Sequence, residues 1–327
     1  MRIGIVVSNA AVAAPTHTTV HLAAAALARG HVVRVFEPWD FEVDPAGRVR
    51  GRAHCLDAPM GREALVEALQ TRDHRRSVEA DRLDLLLLRA NPFQDTIVTF
   101  AQMLQGAGVR VLNDPSGMIL TSHKGYLATL AGVPRPRTLV TRSRSAVERF
   151  VSDCEGGVVI KPTRACGGRG VGLLKGRSRD RLDTVLDTAM RAGDGYVVVQ
   201  EYLAAARDGE KRLLWMEGTL VGGYLRTRAP GDFRHNLQLG GQPSGCDITD
   251  ADRALVATVT PHLRRAGIWF AGLDVIGAHL VEVNALNPGG VHYSEQFTGL
   301  SIADLLITSL ERPVTRGLPV APPELTQ

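Results

Sequence analysis

A hydrophobic hairpin interrupted by three oxygen-bearing side chains constrains this chain more than any other feature. It runs Gly272-Leu273-Asp274-Val275-Ile276-Gly277-Ala278-His279-Leu280-Val281-Glu282-Val283-Asn284. Asp274, Glu282 and Asn284 stand in strands that are otherwise apolar, where charge is costly unless it is paired or bound to a metal. Glu282 and Asn284 are two apart and face the same way. Whether Asp274 joins them depends on the turn. A strict two-residue loop at Gly277-Ala278 pairs Asp274 with Val281, whereas a three-residue loop or a bulge pairs it with Glu282. The longer loop is therefore predicted, so that all three oxygens converge on magnesium; the competing reading is a strand-end carboxylate facing solvent.

The N-terminal part alternates strand and helix. Ile3 to Val7 reads as a buried strand, Thr19 to Arg29 as an Ala-rich helix stopped by Gly30, and Val32 to Phe36 as the next strand. Leu83 to Leu88, a helix over Asp95 to Gln105, and Val109 to Leu112 repeat the pattern up to Asn113-Asp114-Pro115. This predicts a parallel sheet with helical cover, with the polar stretch Asp44 to Ala58 as a loop excursion.

The next region opens with Thr121-Ser122 as the cap of a helix over His123 to Ala131, stopped by Gly132 and the prolines that follow. A strand at Thr138 to Val140, a helix at Ser145 to Ser152 and a strand at Val158 to Lys161 precede the glycine-rich loop Thr163-Arg164-Ala165-Cys166-Gly167-Gly168-Arg169-Gly170. That loop enters another strand, Val171 to Leu174, rather than a helix, so it is neither a Walker loop nor a dinucleotide fingerprint; a β-loop-β lid fits better. Strands at Val197 to Gln200, Arg212 to Met216 and Leu220 to Leu225, a helix from Asp250 to Arg265, and the acidic hairpin make an antiparallel sheet carrying a helix.

The 327 residues are about twice a typical domain of roughly 150. With 44% hydrophobic and 22% charged residues, the chain is neither disordered nor fibrous. The net charge of +4 permits an anionic ligand. Basic residues are interleaved with acids, as in Arg72-Asp73-His74-Arg75-Arg76 and Arg177-Ser178-Arg179-Asp180-Arg181, which reads as solvated surface rather than a nucleic-acid stripe. Cys55, Cys154, Cys166 and Cys246 form no C-x-x-C pair, so isolated reduced thiols are expected. The opening Arg2-Ile3-Gly4-Ile5-Val6-Val7 has no charged leader, and no apolar run approaches the roughly 18 residues of a membrane span, so a cytoplasmic protein without a membrane partner is expected.

The cations match the acids. Lys124 follows the helix cap and Lys161 ends an apolar strand just before the glycine loop, where an ammonium can meet a phosphate while backbone N–H groups close over it. Together with the acidic hairpin they fit a nucleoside triphosphate held between two sheets. His17-x-x-x-His21 has the spacing of a helical metal pair, but no Glu follows the first His, so capping or surface histidines are the better reading. Cys166, inside the lid, reads as an ordinary small loop residue.

Taken in order, Arg89-Ala90-Asn91-Pro92-Phe93, Asn113-Asp114-Pro115, Val159-Ile160-Lys161-Pro162, Gly167-Gly168-Arg169-Gly170, Val199-Gln200-Glu201-Tyr202-Leu203, Asp208-Gly209-Glu210-Lys211-Arg212, Gly231-Asp232-Phe233-Arg234-His235-Asn236, Gly240-Gly241, the metal strand and Asn287-Pro288-Gly289-Gly290 carry a resemblance. The chain resembles the ATP-grasp carboxylate–amine ligases, most closely bacterial glutathione synthetases and more distantly the ribosomal-protein glutamate ligases. The resemblance implies an α/β chain, with α+β character toward its C-terminus, in the ATP-grasp fold. A Rossmann-like pre-ATP-grasp domain would occupy 1–118, a lid domain 119–195 and a C-terminal ATP and metal domain 196–312, ahead of a Pro-rich tail at 313–327.

The resemblance also assigns roles. Lys124 and Lys161 would hold the ATP phosphates under the lid of Gly167, Gly168 and Gly170; Glu201, Tyr202 and Leu203 would form the hinge that reads adenine, and Glu210 would bind the ribose. Asp274, Glu282 and Asn284 would hold two magnesium ions, with manganese as a substitute. Arg212, Arg234 and Asn236 would face the acceptor and the transferred phosphoryl group, and Gly241, with Gly240, would let an oxyanion approach. Arg89, Asn287, Gly289, Gly290 and either Arg226 or Arg228 would lie on the substrate side.

The implied reaction joins an amino-acid or peptide carboxylate to an amine through an acyl-phosphate, with γ-glutamylcysteine and glycine the leading pair. The alternatives are an amino-acid or glutamate ligase acting on a peptide or natural-product intermediate, and a catalytically silent ATP-binding regulator. A dimer or tetramer is expected. The departures fall on the substrate side: Ser8-Asn9-Ala10 and His17-Thr18-Thr19-Val20 stand where the family carries Met-Asp-Pro and Lys-Asp-Ser/Thr-Ser.

Overall fold

The computed structural model describes residues 1–71, 75–92, 94–165, 167–176 and 179–312. Phe93, Cys166, the Arg72–His74 and Arg177–Ser178 charges and the 313–327 tail lie outside them. The first sheet is built from β1 (Arg2–Val7), β2 (Val32–Phe36), β3 (Phe41–Val43), β4 (Val49–Leu56), β5 (Arg75–Glu79), β6 (Leu85–Arg89) and β7 (Arg110–Leu112). Strands β2, β1, β6 and β7 run parallel in that spatial order, and every residue of β6 is buried, as expected for a parallel strand covered on both faces.

The reading of Asp44 to Ala58 as a loop is wrong. This stretch includes β4, which pairs antiparallel along one edge with β2 and then β3 and along the other edge with β5, so the sheet is mixed rather than wholly parallel. Helices α1 (Thr18–Ala28) and α2 (Arg62–Gln70) cover one face, and α3 (Asp95–Gly106) the other.

A second correction concerns 115–131. Helix α4 (Pro115–Ser122) ends at Thr121-Ser122 instead of being preceded by them, and its cap is Asp114, which accepts from the Gly117 N–H at 3.0 Å. The chain then turns at His123, whose ring accepts from the Gly125 N–H, into a 3-10 segment at Lys124–Thr129 in place of the expected helix.

The second sheet has order β10-β9-β11-β8 and is antiparallel throughout: β8 (Thr138–Thr141), β9 (Val158–Pro162), β10 (Gly172–Leu174) and β11 (Val197–Glu201). Helices α5 (Arg144–Ser152) and α6 (Arg179–Arg191) pack their apolar residues on Val158, Ile160, Val197 and Val199. By strand alternation the opposite face carries Lys161, Val198 and Gln200.

The third sheet has order β14-β13-β12-β15-β16, from β12 (Glu210–Met216), β13 (Thr219–Thr227), β14 (Gln242–Ser244), β15 (Phe270–Ile276) and β16 (His279–Asn284). Helix α7 (Asp250–Arg265) covers Leu213, Trp215, Ala271, Leu273 and Val275, which leaves Glu210, Arg212 and Asp274 on the other side. Helices α8 (Val291–Thr298) and α9 (Ile302–Glu311) follow, and α9 shares one apolar core with α1, β1, Leu214 and Phe270. Asn113 fastens the first sheet to the third: its side chain donates to the carbonyls of Phe270 and Ala285 at 2.9 and 2.7 Å and accepts from the N–H groups of Trp269 and Phe270. Among the described residues, no helix is long and apolar enough to cross a membrane.

Candidate active site

The turn between β15 and β16 keeps its two residues, Gly277 and Ala278, with Ile276 facing His279 and Val275 facing Leu280. The predicted longer loop is absent, yet Asp274 faces Glu282 as expected, because the register shifts by one residue after Val275. Val281 is the extra residue of this bulge. It reverses the facing of everything after it, turning Glu282 and Asn284 away from α7 to Asp274's side. The Asn284 side-chain amide donates to Asp274 at 3.0 Å.

Each acid is met by cations. Arg212, across from Asp274 on β12, donates from Nε and Nη2 to the two carboxylate oxygens at 2.5 and 3.0 Å, and Arg226 from β13 reaches the same carboxylate at 2.7 Å. Burial alone would push the Asp274 carboxyl up, but the two guanidiniums outweigh it and hold the carboxyl well below the usual range. Lys124 Nζ lies 2.5 Å from Glu282, whose carboxyl is lowered in the same way by Lys124 and Lys161 against the pull of burial.

Lys161 is half-buried, and burial lowers its ammonium. Its Nζ donates to Gln200 Oε1 at 2.8 Å, and Gln200 in turn donates to Thr138. Gln200 was missed by the sequence reading, in which it appears only within the hinge motif. A narrow cleft lies between the second and third sheets, lined by Lys124, Lys161, Val198, Gln200 and Glu282 among others. The backbone of Lys124 is pinned to the loop after β9 by its N–H donating to Thr163 at 2.8 Å.

Over this site the glycine loop meets the segment after β13. Arg234 donates to the Gly168 carbonyl at 3.0 Å and is itself held by Asp232 at 2.8 Å. Asn236 lies against Gly168, where an added Cβ would come within 3.0 Å of its side-chain oxygen. Gly170, at φ +68, is packed so closely on Pro162 and Ala192 that a Cβ would overlap both.

Other expected residues are placed differently. Gly241 is not positioned as an oxyanion donor: its N–H donates to the Asn236 carbonyl at 3.2 Å, the Gly240 N–H to Leu237 at 3.1 Å, and the Gly241 Cα packs on the carbonyls of His235 and Thr227. Glu210, expected at the ribose, is bonded to Arg226 beside Asp274, with its carboxyl pushed up to about 7 chiefly by burial. Of the two arginine alternatives, Arg226 is in the cluster, whereas Arg228 is exposed beyond the end of β13. Asn287 is exposed, while the Gly289 carbonyl accepts from Arg212 at 3.2 Å and Gly290, at φ +116, makes room for the Tyr224 ring.

On the hinge, Glu201 ends β11, the Tyr202 N–H donates to Gly157 at 3.0 Å and its ring lies under Lys175, and Leu203 caps a short 3-10 turn. His17 stands at the N-cap position of α1 without a side-chain capping hydrogen bond, and both ring nitrogens of His21 are engaged, by Glu295 and by Arg62, each at 2.7 Å. His17 is thus an exposed surface histidine, within the expected reading, whereas His21 is buried and hydrogen-bonded rather than a capping or surface residue.

The family model of the prokaryotic glutathione synthetase ATP-grasp domain matches residues 126–299, and that of the prokaryotic glutathione synthetase N-terminal domain matches residues 1–118. The chain is 31% identical to a glutathione synthetase of Synechococcus elongatus, over 97% of this chain and 100% of that one. It is 36% identical to a glutathione synthetase of Xanthomonas campestris pv. campestris, over 69% of this chain and 72% of the relative. Among solved structures, a D-cycloserine synthetase superposes with a TM-score of 0.65, covering 94% of this chain and 100% of its own at 19% identity, a likeness of fold.

Proposed function

Because this chain belongs to the prokaryotic glutathione synthetase family, and is with it an ATP-dependent, ADP-forming carboxylate–amine ligase of the ATP-grasp fold, we propose that it joins γ-glutamylcysteine to glycine. The observation that carries the reading is the convergence of Lys124, Lys161, Arg212 and Arg226 with Asp274 and Glu282 beside one cleft.

A carboxylate attacking a triphosphate is an anion approaching an anion, so catalysis here is chiefly positioning and charge neutralisation. Lys124 and Lys161 hold the phosphates. Arg212 and Arg226 face the carboxylate and the phosphoryl group in transit. The cysteinyl carboxylate of the dipeptide attacks the γ-phosphorus, ADP leaves, and the glycine amine adds to the acyl-phosphate carbonyl; the tetrahedral oxyanion then expels phosphate to leave the amide. Arg234 closes the Gly167–Gly170 lid, keeping water from the acyl-phosphate. No nucleophile of the protein is required.

Asp274, Glu282 and Asn284 present the hard oxygens that suit magnesium, and the positive charges around them are of the kind a metal and its phosphates would rearrange. When bound, magnesium, as two ions or with manganese in its place, neutralises the phosphate charge. Tyr202 and Leu203 would offer backbone groups to adenine. The soluble homo-oligomer typical of such ligases is tested by light scattering.

The test is ADP release with a panel of carboxylates and amines including γ-glutamylcysteine plus glycine, with mass spectrometry of the products. Glutathione as the product supports the reading, and ADP release with a different mass-shifted product makes the chain a ligase of another substrate. Absence of ADP across the panel, with ATP bound in calorimetry, would make it a silent nucleotide binder.

A further inference from the structure

We propose that His235 is a positioning residue through which a nucleotide base seated at the hinge closes the glycine lid, so that closure depends on the base and not on the phosphates alone. The proposal deepens the lid reading given above and rests on it, and it is independent of which carboxylate and amine are joined.

The lid lands on one stretch of chain. Arg234 holds the Gly168 carbonyl, and a Cβ added to Gly168 would come within 3.0 to 3.3 Å of Asn236, Leu239 and Arg234, while one added to Gly167 would meet Gln238 at 2.8 Å. All four landing residues lie between β13 and β14. Of residues 231–240, His235 alone is buried. Its neighbours Arg234 and Asn236 turn toward the lid, and its ring turns the other way, into the protein.

There His235 Nε2 lies 2.8 Å from the Ala206 carbonyl. A carbonyl only accepts, so Nε2 carries the hydrogen and donates. Nδ1 faces Glu210 Oε2 at 3.9 Å, beyond a hydrogen bond. Burial lowers the imidazole, so the ring acts as a neutral donor and not as a charge. A single bond therefore fixes its orientation.

That bond reaches the hinge. Ala206 belongs to the 3-10 turn at Ala204–Arg207, directly after Glu201, Tyr202 and Leu203, and its own N–H donates to the Leu203 carbonyl at 3.0 Å. Among the described residues, only two hydrogen bonds tie 231–240 to distant parts of the chain: Arg234 to Gly168, and His235 to Ala206. The stretch is thus held by the lid on one side and by the hinge on the other. A base that orders the hinge turn fixes the Ala206 carbonyl and, through the His235 ring, the platform on which the lid lands. The two events then favour each other.

The experiment is hydrogen exchange of the lid backbone, read by mass spectrometry over Gly167–Gly170 in the full chain. It compares no ligand, magnesium ATP at a concentration that calorimetry shows to saturate, and inorganic triphosphate with magnesium at the same concentration. In the wild type, ATP is expected to slow lid exchange about tenfold or more beyond triphosphate, the scale of one buried hydrogen bond. In His235→Phe, which keeps a ring without the donor, ATP is expected to slow it no more than triphosphate does. His235→Gln carries a donor to the same carbonyl and is expected to restore the difference. His235→Asn is too short to do so, is expected to behave as the phenylalanine variant, and decides the matter if that variant does not fold. A donor-free variant whose lid still responds to ATP as the wild type does, a glutamine variant that restores nothing, or a wild type that treats ATP and triphosphate alike overturns the proposal and leaves the lid reading in place. If neither ligand slows exchange in the wild type, the lid reading itself has failed, and the proposal with it.

Discussion

Asp274 and Glu282 are cross-strand partners because Val281 stands as an extra residue between two otherwise regular strands. Deleting Val281 removes the bulge and makes Glu282 the residue after Leu280, so plain alternation still sets it opposite Asp274. Expected is retained ADP release, with a loss of about 1–3 kcal/mol for the missing buried side chain. Val281→Ala keeps the bulge, costs about 1–3 kcal/mol for the lost methyls of a buried side chain, and retains activity within a few-fold. Paired thermal melts and ADP assays check this; loss of ADP release in the deletion but not in the alanine variant would show that the bulge itself, and not only the facing of Glu282, shapes the site.

Closure of the lid depends on Arg234 reaching the Gly168 carbonyl and on Gly170 fitting between Pro162 and Ala192. Arg234→Ala is expected to lower amide formation by about 10²–10³-fold, the scale of a lost transition-state donor. It should also raise the ratio of ADP released to amide formed, since water reaches the acyl-phosphate. Gly170→Ala forces a Cβ into two side chains at a φ that disfavours it, and is expected to raise the same ratio with little change in ATP binding. The ratio is read by coupled ADP assay and product mass spectrometry; an unchanged ratio in both variants would mean that the contact does not shield the intermediate.

Much of this was legible in the sequence, for physical reasons that differ by segment. Leu85 to Leu88 is an unbroken apolar run because a parallel strand is buried on both faces, and that pattern is hard to mistake. The β4 strand was hidden because its open face carries Arg50 and Arg52 while its covered face uses Gly51 and Ala53, small enough to fit under Phe36. Such a mixture reads as a turn. The convergence of Asp274, Glu282 and Asn284 followed from the cost of burying charge, but its means did not, since a bulge at Val281 leaves no glycine to mark it. The Gly240-Gly241 pair was read as letting an oxyanion approach, whereas its N–H groups are used to close its own turn.

Gln200 links Lys161 to Thr138 across the second sheet. Gln200→Ala leaves a half-buried ammonium without its neutral acceptor, a loss worth about 1–3 kcal/mol, so the KM for ATP is expected to rise about tenfold or more with a smaller change in kcat. Gln200→Glu places a carboxylate against Lys161 and neutralises it, and should weaken ATP binding by adding negative charge near the phosphates. Titration of ATP by calorimetry separates the two cases; wild-type affinity in both variants would show that Lys161 needs no support from Gln200.

Asp252 ties the start of α7 to β12, the central strand of the third sheet. It is 3% exposed, closes a capping box with Thr249 and accepts from Lys211 Nζ at 2.7 Å. Burial alone would raise its carboxyl, but Lys211 and the Thr249 N–H and hydroxyl overcome this and hold it below its ordinary value of 3.8. A carboxyl lowered on folding contributes stability that is fully present above its unfolded value and is lost as the pH falls through the folded one. Wild type is therefore expected to lose this increment only below about pH 4. Asp252→Asn removes the charge at every pH, and should cost about 1–3 kcal/mol near pH 7 while the gap to wild type narrows under acid. Denaturant unfolding of both proteins at pH 7 and pH 3.5 measures the gap, and a gap that is constant or widens on acidification would show that the Asp252 charge contributes nothing to holding α7.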